Sequence, residues 1–279
     1  MTIIFDERCL EFSAPGHPES PERISKSIPL LQKYHDVLWP EPATENELLK
    51  AHSREHLQRI KNLEFWEPDC PPYPKIYEYA SLAAGAAILA SRIQGFSLMR
   101  PPGHHASRDR IAGFCYVNNI AVAVKNSGKR TLIIDIDGHH GDGTQAIFLG
   151  DPQIIFLSLH SSPNYPGTGL RSERNCHNIP LPHYCGDQIY LEALDRALAE
   201  INLMGIEQIA LSAGFDTFQT DPLASLGLTS SCYQNIGSRI AELKLPRFAV
   251  LEGGYDVKHL AMNIHRFLQG LFGHAGKEL

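Results

Sequence analysis

The sequence predicts a single α/β domain built on a mostly parallel sheet, and three observations support this. The chain has 279 residues, 43% hydrophobic and 20% charged, which suits one globular domain over residues 1–279. Apolar, strand-like runs alternate with helical patterns along most of the chain, as in the crossover units that join parallel strands. Polar, glycine-rich motifs follow several of these runs, at the strand ends where parallel sheets bind ligands.

The periodicity of apolar residues places the individual elements. Short apolar runs predict strands at Thr2–Phe5, Phe96–Met99, Arg130–Ile136, Gln153–His160, Gln208–Ala213 and Phe248–Leu251. Helical patterns predict helices at Pro21–Tyr34, Glu45–Lys50, Arg54–Asn62, Lys75–Ile93, Cys115–Asn126, Gly143–Gly150, Asp187–Met204, Thr229–Leu243 and Val257–Leu271. Because strands and helices alternate, we expect helices on both faces of the sheet, a three-layer α/β/α arrangement.

Five of the predicted strands run directly into loops that contain Gly, His, Asp or Tyr. These loops begin at Arg100, Asp137, His160, Gly214 and Glu252. The carboxyl ends of parallel strands lie along one edge of a sheet. We therefore expect the five loops to form one site from distant parts of the sequence.

The composition argues against several classes of protein. No run approaches the roughly 20 apolar residues of a membrane helix, and Met1–Asp6 lacks the features of a signal peptide, so we expect a cytoplasmic protein. The net charge is −6 and no block of basic residues occurs, so nucleic acid is not an expected partner. The six cysteines are scattered without a Cys-x-x-Cys pair, which predicts free thiols rather than a thiolate zinc site.

The densest polar motif is the loop Asp135–Gly143, which follows an apolar β-branched run. Asp137 and His139 are two residues apart, so both side chains point the same way along an extended segment and can share a metal ion. Asp216, at the end of another predicted strand, would complete a set of three ligands. Three protein ligands with an open position are typical of catalytic zinc, and the mixed oxygen and nitrogen set also suits Fe(II) or Co(II). A single Asp or His would more simply be a turn residue; the density of the cluster favours a metal.

A second group of residues has the chemistry of proton transfer. His104 and His105 follow a Pro-Pro-Gly turn that holds the two imidazoles in fixed positions. One imidazole could take a proton from water and return it to a leaving amine, because histidine titrates near neutral pH. Asp135 and Asp142 are the carboxylates available to orient the pair. If the sequence lacked the loop Asp135–Gly143, an alternative interpretation of His104 and His105 would be two surface histidines in a proline-rich turn.

Other residues near the predicted rim have weaker signals. Tyr255 follows two glycines and could donate a hydrogen bond to an oxygen that gains charge, or could simply pack at a helix start. Gly113–Phe114 and Tyr165 would flank a narrow slot, although half-buried loop aromatics are the simpler interpretation from the residues alone. Ser158 and Asp135, with nearby carbonyls, offer hard oxygen ligands for a structural cation.

Taken together, the motifs resemble the histone deacetylase superfamily. In chain order they are GHPESPERI at Gly16–Ile24, RPPGHHA at Arg100–Ala106, GFCYVN at Gly113–Asn118, DIDGHHGDG at Asp135–Gly143, SLH at Ser158–His160, PGTG at Pro166–Gly169, SAGFD at Ser212–Asp216 and LEGGY at Leu251–Tyr255. The resemblance covers nearly the whole chain and is specific as a set. It implies an arginase-like α/β fold with a central parallel sheet of about eight strands. It also implies zinc-dependent hydrolysis of an acetyl-amide.

The resemblance also implies roles for individual residues. The residues similar to the zinc ligands, for which iron(II) is the alternative metal, are Asp137, His139 and Asp216. The residues similar to the catalytic set are His105 as general base and acid, His104 as an electrostatic residue, Asp135 and Asp142 behind them, and Tyr255, which polarises the substrate carbonyl. His140 has no catalytic role in this scheme, and we expect it to pack into the structure.

The same resemblance implies a substrate channel and cation sites. The residues similar to the channel walls are Gly113, Phe114, Tyr165 and Leu223, and Tyr165 departs from the more usual Phe by adding a hydroxyl at the mouth. The residues similar to a potassium site are Asp135, Asp137, His139, Ser158 and Leu159. A second potassium site is implied at Phe148, Asp151 and Ile154.

Two departures from the family pattern bear on the substrate. Leu223 lies where one polyamine-specific branch has Glu, and the loop from His105 to Gly113 is too short for the insertion that narrows the channel in others. Both favour an acyl-lysine or other small acyl-amide, with an acetylpolyamine as the alternative substrate. A non-catalytic binder of acylated ligands is a further alternative. A two-metal ureohydrolase is disfavoured because Gly138 provides no additional carboxylate.

Overall fold

A computed structural model describes residues 1–273 and contains one sheet of eight strands. The strands are β1 (Thr2–Ile4), β2 (Asp36–Leu38), β3 (Phe96–Ser97), β4 (Thr131–Asp135), β5 (Ile154–Ser161), β6 (Cys176–Leu181), β7 (Gln208–Ala213) and β8 (Arg247–Leu251). Their order is β2-β1-β3-β8-β7-β4-β5-β6, and every neighbouring pair is parallel. This confirms the predicted parallel α/β architecture. Residues 274–279 of the predicted domain lie outside the described residues.

Helices connect and cover the strands. They are α1 (Glu22–Ser25), α2 (Ile28–Leu31), α3 (Glu45–Leu48), α4 (Arg54–Asn62), α5 (Ile76–Ile93), α6 (Asn119–Ser127), α7 (Asp142–Phe148), α8 (Gly186–Glu200), α9 (Ser230–Ala241) and α10 (Leu260–Phe272), with a 3-10 helix at Glu7–Leu10. The long helix α5 packs on β1, β3 and β8, α8 packs on β6, and α9 packs against α10. Apolar residues of the sheet and helices form the hydrophobic core.

The central strand β4 shows how the fold positions the polar loops. All of its residues are buried, and Ile133 pairs with Phe156 of β5 on one side and with Ala210 of β7 on the other. A strand enclosed in this way is apolar until it leaves the sheet. The sheet order places the carboxyl ends of β3, β8, β7, β4 and β5 side by side, and these are the five strands predicted to carry the site loops.

Edge strands and some helix ends differ from the prediction. The apolar pattern does not predict β2 or β6, because an edge strand needs no continuous apolar run, and β6 contains His177 and Pro180. The predicted helix Pro21–Tyr34 is instead the two short helices α1 and α2, and Pro29 lies in the first turn of the second. The predicted helix Cys115–Asn126 begins only at Asn119, because the Asn118 side chain accepts a hydrogen bond from a first-turn amide.

The structure bears on two of the expectations from composition, those concerning the cysteines and a membrane helix. All six cysteines are free thiols, as predicted. In the described part of the chain, no helix combines the length and the apolar character that crossing a bilayer requires.

Candidate active site

A pocket of about 250 Å³ opens among the loops that follow the central strands. It is lined by Asp69, His105, Gly113, Phe114, His139, Asn164, Tyr165, Leu223 and Tyr255. The pocket therefore brings together side chains from several distant loops, including a predicted metal ligand, two predicted catalytic residues and the four predicted channel residues. Asp69 and Asn164 have no counterpart in the sequence prediction, because neither belongs to a motif that suggested chemistry.

The three predicted metal ligands form a buried cluster at the pocket. One ligand atom each from Asp137, His139 and Asp216 lies within 4.8 Å of the others. His139 Nδ1 is 3.1 Å from Asp137 Oδ1 and 2.8 Å from Asp216 Oδ2. Asp216 Oδ2 nevertheless has no hydrogen-bond partner within the described residues. The ligand atoms are thus close together without being fully paired, so the cluster fits a metal ion of the zinc or iron(II) type.

The electrostatics of this cluster also suit a cation. Burial opposes ionisation of Asp137, but the neighbouring His104 and His139 hold the pKa of its carboxyl far below the usual range. Burial and the charge of Asp137 raise the pKa of Asp216 to about 6. Burial disfavours a charged His139, but the two carboxylates outweigh it and raise its pKa to about 10. The two carboxylates therefore stabilise a positive charge at this point, which a proton or a metal ion can supply.

Backbone groups fix both carboxylates. The amide of Gly253 donates to Asp137 Oδ2 at 2.7 Å, and the amide of Gly138 donates to Asp216 Oδ1 at 2.7 Å. A Cβ added at Gly253 would lie 2.5 Å from both Asp137 Oδ2 and Asp216 Oδ2, so only glycine can occupy that position. The glycine after Glu252 is thus required for the close approach of its loop to the side chains of Asp137 and Asp216.

His104 and Asp135 form the deeper of two histidine–aspartate pairs. His104 Nδ1 is 3.0 Å from Asp135 Oδ2, and Asp135 Oδ1 accepts a hydrogen bond from the Asp137 amide at 3.1 Å. Both side chains are buried. Burial opposes protonation of His104, but the charges of Asp137 and Asp135 outweigh it and raise its pKa well above the usual value.

His105 and Asp142 form the second pair, at the wall of the pocket. His105 Nδ1 is 2.7 Å from Asp142 Oδ1, and Asp142 is the first residue of helix α7. The other oxygen of Asp142 accepts a hydrogen bond from Arg110, a residue that the sequence motifs did not single out. Burial and the positive charge of His104 lower the pKa of His105 to about 3, so this imidazole is neutral at neutral pH.

Tyr255 lines the pocket, and its hydroxyl makes no hydrogen bond within residues 1–273. Its backbone amide donates to Asp221 Oδ2 at 2.6 Å, and the Arg23 guanidinium lies 4.9 Å from the centre of its ring. Arg23 also donates to the carbonyl of Gly254 at 2.7 Å. Burial raises the pKa of the Tyr255 phenol well above its usual value, so the hydroxyl keeps its proton and can donate it in a hydrogen bond.

A buried ionic network that the sequence reasoning missed supports these loops. Glu19 accepts hydrogen bonds from Arg100 at 2.5 Å and from Arg23 at 3.1 Å. Glu252 accepts from the amides of Gly103 at 2.7 Å and His104 at 3.1 Å. Glu19, Arg100 and Glu252 each lie within one of the motifs given above. Their charged side chains were the sequence signal that could have indicated this network.

The predicted channel residues form the walls of the pocket. The Tyr165 ring packs edge-on against His105, with centroids 5.1 Å apart, and the Phe114 ring packs edge-on against Tyr255 at 5.8 Å. Leu223 is 38% exposed, which places it at the mouth rather than at the base. Gly113 has a φ of 52°, and an added Cβ would lie 2.5 Å from the His105 ring, so the wall requires glycine there.

The residues of the two implied potassium sites have different surroundings. The main-chain carbonyls of Asp137 and His139 accept no hydrogen bond within the described residues, and Ser158 and Leu159 are buried beside them on β5. At the second site, the Asn175 side-chain amide donates to three carbonyls: Phe148 at 2.9 Å, Asp151 at 3.3 Å and Ile154 at 2.9 Å. The Asn175 amide therefore contacts all three carbonyls of the second implied site.

His140 lies away from the pocket lining, as expected for a residue without a catalytic role. Its Nδ1 is 2.8 Å from Thr168 Oγ1, and its Nε2 is 3.0 Å from Gln145 Oε1. Both ring nitrogens thus have partners in the loop and helix that surround the site.

Comparisons with known proteins agree with this arrangement. A family model described as "Histone deacetylase domain" matches residues 17–271. A probable deacetylase of Archaeoglobus fulgidus is 34% identical over 92% of this chain and 81% of the relative. Acetylpolyamine amidohydrolase 1 of Pseudomonas aeruginosa is 39% identical over 64% of this chain and 56% of that protein. Among solved structures, the HDA15 HD domain has a TM-score of 0.90 and 30% identity, covering 99% of this chain and 92% of that one.

The parallel sheet of eight strands, with the pocket at its carboxyl edge, has the arginase-like α/β fold. The family match spans most of the sequence and includes every motif from Arg100 to Tyr255. The chain belongs to the histone deacetylase family. The resemblance inferred from the motifs is thereby confirmed.

Proposed function

We propose that the protein is a metal-dependent deacylase that hydrolyses an acetyl-amide, with zinc held by Asp137, His139 and Asp216. The observation that carries this proposal is the convergence of a three-ligand cluster, two histidine–aspartate pairs and a phenol at one pocket. When bound, zinc would supply Lewis-acid chemistry, polarising a carbonyl and making water more acidic. Iron(II) has similar ligand preferences and is the alternative metal.

The chain's own side chains account for the proton movements. Asp142 holds His105 Nδ1, which leaves Nε2 to accept a proton as water attacks the acyl carbonyl. The Tyr255 hydroxyl donates a hydrogen bond to the carbonyl oxygen as that oxygen gains charge. When the carbon–nitrogen bond breaks, His105 Nε2 returns the proton to the leaving amine, so that water and amide give acetate and a free amine. His104 is held by Asp135 through Nδ1 and lies beside the reacting atoms, where its role is electrostatic.

A structural potassium ion is part of the proposal. The carbonyls of Asp135, Asp137, His139 and Leu159 and the side chains of Asp135 and Ser158 are its candidate ligands, because hard oxygen atoms suit such a cation. The unpaired carbonyls of Asp137 and His139 support this assignment. The second site, at Phe148, Asp151 and Ile154, stays a prediction, and there the Asn175 amide contacts the three carbonyls.

Acyl-lysine, or another small acyl-amine, is the proposed substrate. The apolar Leu223 at the mouth and the short loop between His105 and Gly113 support this choice. An acetylpolyamine is the second candidate, and the similarity to the acetylpolyamine amidohydrolase of Pseudomonas aeruginosa favours it. Asp69 in the pocket lining is also compatible with a cationic polyamine.

Acetate release is the decisive measurement. Metal-analysed protein is assayed on acetyl-lysine peptides, acetylputrescine and acetylspermidine, and we expect hydrolysis of at least one with stoichiometric zinc or iron. His105→Ala and Tyr255→Phe should abolish most of the turnover. His177→Ala on β6 and the exposed Tyr184→Phe are matched controls outside the pocket and should keep wild-type activity.

The same assay separates the alternatives. Tight binding of an acetylated ligand without acetate release would establish a non-catalytic binder instead. Activity that survives complete metal removal would overturn the metal-dependent mechanism.

A further inference from the structure

Arg110 contacts Asp142 from the loop that follows His105 in the chain. Asp142 has two carboxylate oxygens: Oδ1 is 2.7 Å from His105 Nδ1, and Oδ2 accepts a hydrogen bond from Arg110 Nη2. The Asp142 side chain is only 10% exposed, whereas that of Arg110 is 55% exposed. The guanidinium therefore reaches inward from the surface to the back of the His105–Asp142 pair.

The loop that presents Arg110 is anchored on both sides. Within the loop, the Ser107 amide donates to the Arg110 carbonyl at 3.0 Å. The Arg108 carbonyl accepts from the Ser53 amide at 3.2 Å, and Arg59 donates to the Asp109 carbonyl at 3.4 Å. Ser53 and Arg59 belong to the cap and body of helix α4, so this helix holds the backbone of Arg110 in place.

Within the described residues, no arginine donates to the carboxylate of the deeper pair, His104–Asp135. Asp135 receives the Asp137 amide and His104 on its two oxygens, and both groups are buried in the core of the site. Asp142 lies at the surface-facing side, where the backbone supplies no donor to its Oδ2 within residues 1–273. Without Arg110, one oxygen of this carboxylate would have no protein donor and the carboxyl plane could turn.

We propose that Arg110 is a positioning residue for the acid–base histidine: it fixes Asp142 so that His105 presents Nε2 to the pocket. A charge-assisted hydrogen bond to Oδ2 orients the carboxylate plane while Oδ1 holds the imidazole. Such outer partners of catalytic groups control turnover because a small loss of orientation misplaces the transferred proton. This inference rests on the proposed deacylase function.

The test compares Arg110→Ala, Arg110→Lys and Arg108→Ala in zinc-loaded protein. Arg108 is an exposed arginine in the same loop whose side chain pairs with no carboxylate of the described residues, so its substitution is the matched control. We expect Arg110→Ala to lower kcat about tenfold with little change in KM, because the outer partner orients rather than binds. Arg110→Lys should recover part of the loss, and Arg108→Ala should match the wild type.

Chemical rescue distinguishes positioning from a general structural role. Guanidinium chloride at millimolar concentration should raise kcat of Arg110→Ala, whereas equal sodium chloride should not. The melting temperature should stay near the wild-type value, because the Arg110 side chain is 55% exposed and ion pairs open to solvent on one side add little to stability. A wild-type kcat for Arg110→Ala, an equal loss in Arg108→Ala, or no rescue by guanidinium would each overturn the proposal. If the wild-type protein releases no acetate, the proposed function itself has failed.

Discussion

The two histidine–aspartate pairs of the pocket have the same composition and opposite electrostatic surroundings. The His104 and His105 rings are only 4.0 Å apart, yet their pKa values shift in opposite directions. Burial disfavours the charged form of both rings. At His104 the carboxylates of Asp135 and Asp137 outweigh burial, whereas at His105 the positive charge of His104 adds to it. The opposite pKa shifts are compatible with the proposed division of roles, in which His104 acts electrostatically and His105 exchanges a proton.

The largest expected effect is on turnover when each histidine is removed. His105→Ala should lower kcat about a thousandfold, within the range of general acid–base catalysis. His104→Ala should lower kcat about a hundredfold, because it removes an electrostatic contribution. The measurement is steady-state acetate release, and equal losses would contradict the division of roles. Each variant's metal content must match that of the wild type for the comparison to hold.

Substitutions of the two aspartates should have different effects on the stability of the protein. Asp135 is fully buried and accepts both the Asp137 amide and His104. Asp135→Asn places an NH₂ donor against one of these groups, so the free energy of unfolding should fall by about 1–3 kcal/mol. Asp142→Asn should reduce kcat while leaving stability nearly unchanged, because its Oδ2 side is reached by solvent-exposed Arg110. Urea denaturation and acetate release, measured on both variants, test the contrast; equal destabilisation would contradict it.

The free energy of unfolding should depend on pH through Glu252. This carboxylate lies beside the His104–Asp135 pair and accepts hydrogen bonds from the amides of Gly103 and His104. Burial and the charge of Asp135 raise the pKa of Glu252 from 4.5 to about 7. Folding therefore favours the protonated acid, and this stabilisation, complete below pH 4.5, is lost as pH rises through about 7. In Glu252→Gln the free energy of unfolding should decline less between pH 5 and 8 than in the wild type.

Urea denaturation at several pH values measures the slope of the free energy of unfolding against pH. Glu200→Gln, an exposed carboxylate at the end of helix α8, is the control and should leave the slope unchanged. If the free energy of unfolding changes with pH in the same way in the wild type and in Glu252→Gln, Glu252 is ionised throughout this range and the prediction is wrong.

The smallest expected effect concerns Tyr165, whose ring contacts His105 but whose side chain is 41% exposed. Tyr165→Phe keeps the ring against the imidazole and removes only the hydroxyl. We expect kcat within about twofold of the wild type, as for other half-exposed changes. A much larger loss in acetate release would show that the hydroxyl takes part in the proton exchange at His105.

Much of this arrangement could be predicted from the sequence, because β4 and its neighbours carry a local signal. The apolar run before Asp135 and the polar loop after it mark a buried strand end, and the family resemblance then suggested how Asp137, His139 and Asp216 work together. The edge strands β2 and β6 could not be predicted in this way, because β2 has only three residues and β6 is interrupted by His177 and Pro180. The roles of Arg110 and Asn175 also escaped prediction, because each depends on a contact with a distant loop.

The sequence by itself determined the fold class and the types of side chain that the site contains, because strand periodicity and residue type are local properties of the chain. Only the tertiary structure decided which imidazole has its pKa raised and which has its pKa lowered. His104 and His105 are adjacent and chemically identical, so no local rule separates them. The separation arises from the carboxylates of Asp135 and Asp137, which lie beside His104, and from the charge of His104, which lowers the pKa of His105.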